Sequence, residues 1–486
     1  MARRVAVVGG GVTGLAAAHA LAARAAQGDG SGVEVTLLEA SDRLGGKVRT
    51  ERVDGMLFEC GPDALFLRSP FALDLCRGLG LGDQVVRADP RHRRSYVLFG
   101  GRLHAIPAGM EGGVPRAVWP MASSGLLSPL GKLRAALEVA LPAGRTEADE
   151  SVDAFVRRRF GPEVAERVAG PLLGAIYNDD ARRLSLLATA PHLRAAERRD
   201  RSLLLGAWRA GRRAGGHAPA PNGSAPASPF VSLRCGLDGL VERLAAGLAG
   251  VDVRLGAAVR ALRPEAGGFL LETDGGERLV ADRVVLAVPA YEAARLLEPL
   301  SFAAAAHLAA VRYASSIVVA LAFPATAARA LPPGSGFVVA PGEPRLLAAC
   351  SWLSRKWPHC APNGELVVRG HVKPERRPDA ASATDAELVA GVRGELRDLF
   401  GLTAAPLAAR VYRWPRALPS YAVGHLDRLA AVERALGDLP GLVLAGAGYR
   451  GAGVPECLRQ GVEAAERAMA GAGWAAAAPA AAAAQR

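Results

Sequence analysis

The residues of this chain best placed for chemistry are glycines and charged groups at turns. Gly9-Gly10-Gly11-Val12-Thr13-Gly14 has the spacing GxGxxG, and Glu39 follows 25 residues beyond Gly14. At a strand-to-helix turn this pattern binds a dinucleotide. Gly9 permits the tight turn, Gly11 lets a pyrophosphate approach the backbone, and Gly14 lets the helix sit against the strand. The free N–H groups of the helix N-terminus attract the phosphate charge. Glu39 accepts from both hydroxyls of an adenosine ribose, which disfavours a 2′-phosphate. The usual interval to that acid is about 20 residues, and the 27–32 loop accounts for the excess. Next comes Arg43-Leu44-Gly45-Gly46-Lys47-Val48-Arg49-Thr50, whose paired glycines allow close backbone approach with Arg43 and Arg49 beside the pyrophosphate. An ordinary turn with solvated charges is the alternative. Glu59-Cys60-Gly61-Pro62-Asp63 is a further tight turn that can run close to the same ligand. No Ser-His-Asp set, carboxylate pair or metal-ligand cluster stands out. The six cysteines show no CxxC, which points away from a zinc site or a disulfide scaffold.

Those turns require particular elements around them. Val5-Ala6-Val7-Val8 is the apolar, β-branched run of a strand buried on both faces of a parallel sheet. Residues 15–24 read as an Ala/Leu-rich helix and Val33–Leu38 as a second strand, completing a β-α-β unit. The far end echoes it: a strand at 442–445 feeds the glycine-rich run 446–453, and a helix at 456–470 follows. A second turn of this kind sets a helix N-terminus at the far end of a long cofactor. That suits FAD better than NAD held by one mononucleotide unit. Strands are predicted at 251–255, 269–273 and 283–288, the last closed by Pro289. A second, more antiparallel sheet is predicted from 316–323, 336–340, 346–352 and Leu366–Val372, and an amphipathic helix at 387–400. Between Arg102 and Gly216 strand signals vanish, and helices such as 133–141 and Val152–Phe160 alternate with Pro/Gly breaks. The uncharged stretch 117–131, with Trp119, Met121, Leu126 and Leu127, reads as core; the alternative is a surface touching membrane or a greasy substrate.

A length of 486 residues suggests about three structural units, and 50% hydrophobic residues exclude wholesale disorder. The longest uncharged stretch, 313–328, contains Pro324 and falls short of the ~18–20 residues of a membrane span. Arg3 and Arg4 precede only four apolar residues before Gly9, unlike a signal peptide. A reducing, cytoplasmic setting is expected. The net charge is +12, but only four of the 59 basic residues are Lys. Such an Arg excess follows either from GC-rich coding or from a positive field for an anionic substrate. No basic run is interleaved with aromatics, so nucleic acid is not an expected partner.

Across residues 4–469 these motifs resemble the FAD-dependent amine oxidase-like superfamily, and within it the oxygen-dependent protoporphyrinogen/coproporphyrinogen oxidases. The superfamily likeness lies in VAVVGGGVTGLAAA (5–18), LLEASDRLGGKVRT (37–50) and RVVLAVPA (283–290). The porphyrinogen branch is indicated by ECGPDALFLR (59–68), by Ala175-Ile176-Tyr177 with Leu184-Ser185 and RSLLLG (201–206), and by ALPSY (417–421) with Gly424-His425 and YRGAGVPECLRQ (449–460). CSWLSRKWPHCAPNG (350–364) and Val454-Pro455-Glu456-Cys457 look most like the enzymes acting on coproporphyrinogen III. The resemblance implies an α/β fold of the amine oxidase/p-hydroxybenzoate hydroxylase-like kind. A Rossmann-like FAD-binding domain (1–68, 225–290 and 426–473) would join a mixed-sheet substrate domain (69–101 and 291–425) and a mostly helical subdomain (102–216), with a loop at 217–224 and a disordered Ala-rich tail at 474–486.

It further implies three two-electron oxidations of coproporphyrinogen III on one noncovalent FAD, each followed by reoxidation with O2 to give H2O2. No side chain is assigned as catalytic, and no metal is needed. Protoporphyrinogen IX is the close alternative; an amine oxidase-fold flavoprotein of other substrate, or a non-catalytic flavin-binding protein, remains behind it. The resemblance carries cofactor binding onto Gly9, Gly10, Gly11, Val12, Thr13, Gly14, Glu39, Arg43, Gly45, Gly46, Lys47, Gly61, Pro62, Asp63, Val259, Trp414, Ala452, Gly453 and Val454. Substrate contacts fall on Arg68, the first choice for a propionate partner, on Lys356 and Arg369, and on Ala175, Ile176, Tyr177 and His371. His371 and His425 are either proton shuttles or structural hydrogen bonders. Handover of product to a ferrochelatase and at most peripheral membrane contact are implied as well. Two departures bear on the pocket: Ala175 and Asp179 stand where the family carries glycines, so a methyl crowds the macrocycle and Asp179 has to point outward.

Overall fold

The computed structural model describes residues 2–26, 32–67, 69–107, 110–111, 114–115, 121, 123–144, 147–213, 228–437 and 439–470. Arg68, Trp119, the 217–224 loop and the 474–486 tail lie outside the described residues. A five-stranded sheet, parallel throughout, runs in the order Val251–Arg254, Val33–Leu38, Arg3–Val8, Arg283–Leu286, Leu442–Leu444. Its central strands are valine- and leucine-rich because both faces are covered, and Val5 to Val8, Val284, Val285 and Leu286 are all buried. The helix Val12–Ala26 packs on it through Leu15, Ala16, Ala17, Ala18 and Leu21. The helix Val454–Ala470 lies against that helix, where a Cβ on Gly461 would come 2.2 Å from the Thr13 carbonyl oxygen.

The second sheet has seven strands: Ala408–Pro419, Tyr313–Phe323, Leu366–Val372, Leu347–Ser351, Gly336–Val339, Ser95–Phe99 and Arg102–Ala105. All its pairs are antiparallel except Gly336–Val339 with Ser95–Phe99. Two elements differ from expectation. Ala408–Pro419, twelve residues long, has no counterpart in the sequence reading because Pro415 and Pro419 argue against a strand. It sits at the sheet edge, where a missing N–H donor is tolerated. Arg102–Ala105 pairs with Ser95–Phe99, so the strand-free stretch does not begin at Arg102. Its four residues, Arg-Leu-His-Ala, alternate polar and apolar, but the run is too short to stand out as a strand in the sequence.

Helices then dominate. The one expected at 133–141 starts earlier, at Pro129, because the Ser128 hydroxyl accepts from the Gly131 N–H at 3.0 Å and caps it. Met121, Leu126 and Leu127 are buried, which supports their reading as core. This layer is tied by a buried ion pair: Arg159 and Glu138, each 0% exposed, hydrogen-bond one another, and Glu138 also accepts from the Ser202 hydroxyl and the Leu203 N–H. Among the described residues no helix is long and apolar enough to cross a membrane.

Candidate functional site

The carboxyl ends of the parallel strands open into one continuous cavity of about 1480 Å³. The first glycine-rich turn borders it at Gly9 and Gly11, and the C-terminal turn at Gly446, Gly448 and Gly453. A Cβ on Gly14 would lie 1.8 Å from the Gly9 carbonyl oxygen, whereas one on Gly11 would meet nothing within 4 Å. Packing therefore requires glycine at position 14, while at position 11 glycine keeps backbone open to a ligand. The helices Val12–Ala26 and Val454–Ala470 both begin at the cavity wall, so two positive helix ends face it.

Glu39 stands where the second parallel strand ends. Its carboxylate accepts from the Gly10 N–H at 2.5 Å, and from the Ser41 N–H and hydroxyl at 2.9 and 2.7 Å. A carboxylate offers about four acceptor sites, so it can still take a ribose hydroxyl. Gly45 donates to the Gly10 carbonyl at 2.8 Å, and Arg43 donates to the carbonyls of Leu44 and Gly46, so the first two glycine loops form one cradle. The Gly61 turn abuts this cradle: a Cβ there would lie 2.0 Å from the Lys47 carbonyl oxygen. Val12, Thr13, Lys47, Gly61, Pro62, Asp63, Val259, Trp414, Ala452, Gly453 and Val454 also line the cavity; Gly10 and Gly14 support it from behind. Donors, helix ends and missing Cβ atoms fit a dinucleotide. No group of residues suited to a metal ion occurs among the described residues.

The other end is built by the mixed sheet and the helical layer. Asp63 binds Lys356 Nζ at 2.9 Å and Trp357 Nε1 at 3.3 Å, with Arg369 Nη1 at 3.7 Å. Burial acts to raise the Asp63 carboxyl, but the charges of Lys356 and Arg369 outweigh it and hold the group well below the usual carboxylate range. Arg369, 1% exposed, also donates to the Gly61 carbonyl. Lys356 and Arg369 line the cavity with their charges matched by Asp63, and together they brace the Gly61-Pro62-Asp63 turn. His371 lines the cavity too; burial, then the charge of Arg369, lowers it to about 3, so its ring is neutral at physiological pH.

Of the helical segment, Ala175 and Ile176 line the cavity, Ile176 being 63% exposed within it. Tyr177 does not; its hydroxyl donates to the Thr189 carbonyl at 2.9 Å. Asp179 points away from the cavity and accepts from Arg183 and the Ser420 hydroxyl, which meets the condition set by the sequence. His425 is buried outside the cavity, its Nε2 2.9 Å from the Tyr449 carbonyl and its ring stacked on Tyr421 at 4.3 Å. Burial lowers it to about 4, and its place is structural. The sequence reading missed Lys373, which lies one residue beyond the strand Leu366–Val372, continues the spacing of Arg369 and His371, and lines the cavity with them. It also missed the edge-on pair Tyr291 and Tyr313, whose rings are 5.0 Å apart on the cavity wall.

The sequence model for flavin containing amine oxidoreductases matches residues 12–469. The coproporphyrinogen III oxidase of Bacillus subtilis is 35% identical over 460 residues, covering 94% of this chain and 96% of that protein. The coproporphyrinogen III oxidase of Propionibacterium freudenreichii is 37% identical over 481 residues, covering 93% of this chain and 88% of that protein. A crystal structure from Exiguobacterium sp. 255-15, of a protein provisionally named protoporphyrinogen oxidase, superposes with a TM-score of 0.83 at 33% identity, covering 96% of this chain and 98% of that one.

Proposed function

The chain belongs to the flavin containing amine oxidoreductase family, and from that premise we propose that it oxidises coproporphyrinogen III to coproporphyrin III with FAD and O2. One observation carries this reading. A single cavity joins the two-helix dinucleotide cradle to an apolar wall formed by Leu172, Ala175 and Ile176, with cations on the facing sheet. Bound FAD supplies a hydride acceptor that O2 regenerates with release of H2O2. Conversion of a porphyrinogen to its porphyrin removes six hydrogens, so three O2 become three H2O2.

The residues of the chain mainly bind and orient. Glu39 holds the adenosine ribose, the Gly9–Gly14 backbone and Arg43 hold the pyrophosphate, and the Gly61 turn, Trp414 and 452–454 border the flavin end. The helical wall excludes water and fixes the macrocycle against the flavin, and Arg68 engages a propionate. His371, neutral at physiological pH, offers a hydrogen bond to a pyrrole and no charge. Binding of FAD is noncovalent: Cys457 borders the cavity, but burial pushes its thiol up to about 11, which withholds the reactive thiolate. Flavin binding is assigned to 1–68, 225–290 and 426–473, the substrate sheet to 69–101 and 291–425 together with the strand Arg102–Ala105, and the wall to the rest of 102–216. The enzyme acts in the cytoplasm and passes its product to a ferrochelatase.

The test is an assay with anaerobically prepared coproporphyrinogen III and protoporphyrinogen IX, read by porphyrin fluorescence and peroxide yield. Three H2O2 per coproporphyrin, with FAD released on denaturation, are expected. Absence of porphyrin from either substrate overturns the function; faster turnover of protoporphyrinogen IX moves the assignment to that substrate.

A further inference from the structure

Lys373 is a buried cation that the cofactor cradle does not use. It is 7% exposed, borders the cavity, and donates to the Gly174 carbonyl at 2.5 Å. That carbonyl belongs to the last turn of the helix Gly170–Tyr177, whose next residues are the wall positions Ala175 and Ile176. One of the three ammonium protons is engaged there. Among the described residues Lys373 makes no ion pair, in contrast to Lys356 and Arg369, which share Asp63. Of the nearby acids, Asp179 pairs with Arg183 and Asp180 with Arg182, while Glu375 accepts from the Ser315 N–H at 2.7 Å. Among the charges acting on Lys373 the largest effect is that of Arg376, of like sign, which Asp179, Glu375 and Asp180 oppose without forming an ion pair with Lys373 among the described residues. A buried cation without a counter-charge is costly, and the cavity beside it is where a counter-charge can enter.

We propose that Lys373 binds a carboxylate of the substrate, placing one propionate of the tetrapyrrole where the mixed sheet meets the helical wall. The proposal rests on the porphyrinogen reading above and adds a specificity-determining residue to it. Gly174 orients the ammonium and leaves two N–H groups for the ligand, and a charge-assisted hydrogen bond of this kind distinguishes acid from ester. Burial, then Arg376, lowers free Lys373 to about 7. Capture of a carboxylate requires the protonated form, so affinity has to fall as pH rises through that value. The other charged groups acting on Lys373 are Arg376, Asp179, Glu375 and Asp180, and Lys373 and Arg369 both act on the neutral ring of His371.

The experiment measures binding of coproporphyrin III and of its tetramethyl ester to the flavin-loaded protein, in one detergent buffer, by fluorescence quenching. Lys373→Met should weaken coproporphyrin III binding at least tenfold and leave the ester unchanged, while Lys373→Arg retains most of the difference. In turnover the loss should fall on KM, with kcat little altered. Equal affinities for coproporphyrin III in wild type and Lys373→Met overturn the proposal and leave the function standing; a wild type that binds neither porphyrin overturns the function itself. Should Lys373→Met lose flavin or melt early, the wild type decides. Its coproporphyrin III affinity should drop above neutral pH while the ester's stays flat, and parallel profiles for the two overturn the proposal.

Discussion

Gly11 and Gly14 carry the same side chain for opposite reasons, one to leave space and one to close it. Glu39 depends on that distinction, because its carboxylate is held at the first turn by the Gly10 N–H. Glu39→Ala should weaken FAD retention about ten- to hundredfold, the scale of one or two hydrogen bonds to a charged acceptor; dialysis followed by flavin absorbance measures it. Glu59 gives a pH signature. It is buried, accepts from the Leu237 N–H and the Thr50 hydroxyl, each at 2.9 Å, and burial raises it to about 7 from an ordinary 4.5. Between those values the unfolded chain has released the proton that the folded chain keeps, so stability falls as pH rises across that window. The full effect is about 3 kcal/mol at most. Urea unfolding of the flavin-loaded protein should show this decline, and Glu59→Gln should flatten it.

At the scale of elements, one contact joins the two helices of the glycine turns and another ties the helical layer together. The helices Val12–Ala26 and Val454–Ala470 touch at Gly461, so Gly461→Ala should separate them. It should cost about 1–3 kcal/mol by overpacking and lower FAD occupancy, since both helix ends face the cofactor. In the helical layer, Arg159→Met leaves Glu138 buried without its partner. A loss of about 3–5 kcal/mol is expected, with flavin content retained because the pair lies away from the cradle. Denaturation midpoints and bound flavin, measured together on each variant, separate the two effects. Equal flavin loss in both would show that the layers do not act independently. The edge strand Ala408–Pro419 illustrates the local limit: its prolines oppose strand formation, yet an edge position accommodates them.

For the whole molecule, charge matters by where it sits. A net charge of +12 says little by itself, because many arginines lie in surface pairs, where an exposed pair contributes about 0–1 kcal/mol. On the proposed reading, the selectivity rests on cations that face the cavity. Coproporphyrinogen III bears four propionates and protoporphyrinogen IX two, and the specificity constant should favour the former. The comparison has to be made at one ionic strength, because screening weakens exposed charge contacts. Arg68→Ala should narrow the preference if its guanidinium meets a propionate. Unchanged discrimination in that variant would leave the substrate in place and remove Arg68 from the contacts.

The nucleotide half of the site was legible in the sequence because its chemistry is local. A β-branched run, a glycine turn, a helix and a terminal acid lie within forty residues, and each is required by backbone geometry near the cofactor. The echo at the C-terminus was legible for the same reason. The substrate half was not, because side chains far apart in sequence meet only after folding. Asp63 meets Lys356 and Arg369, which turns two candidate substrate cations into braces of the cofactor turn. Lys373 reads in the sequence as one more basic residue; only the packing of the helix Gly170–Tyr177 against the sheet buries it against the Gly174 carbonyl, without an ion pair among the described residues. Spacing along the chain determines which backbone is available to a phosphate, whereas the balance of buried charge depends on distances that tertiary packing alone sets.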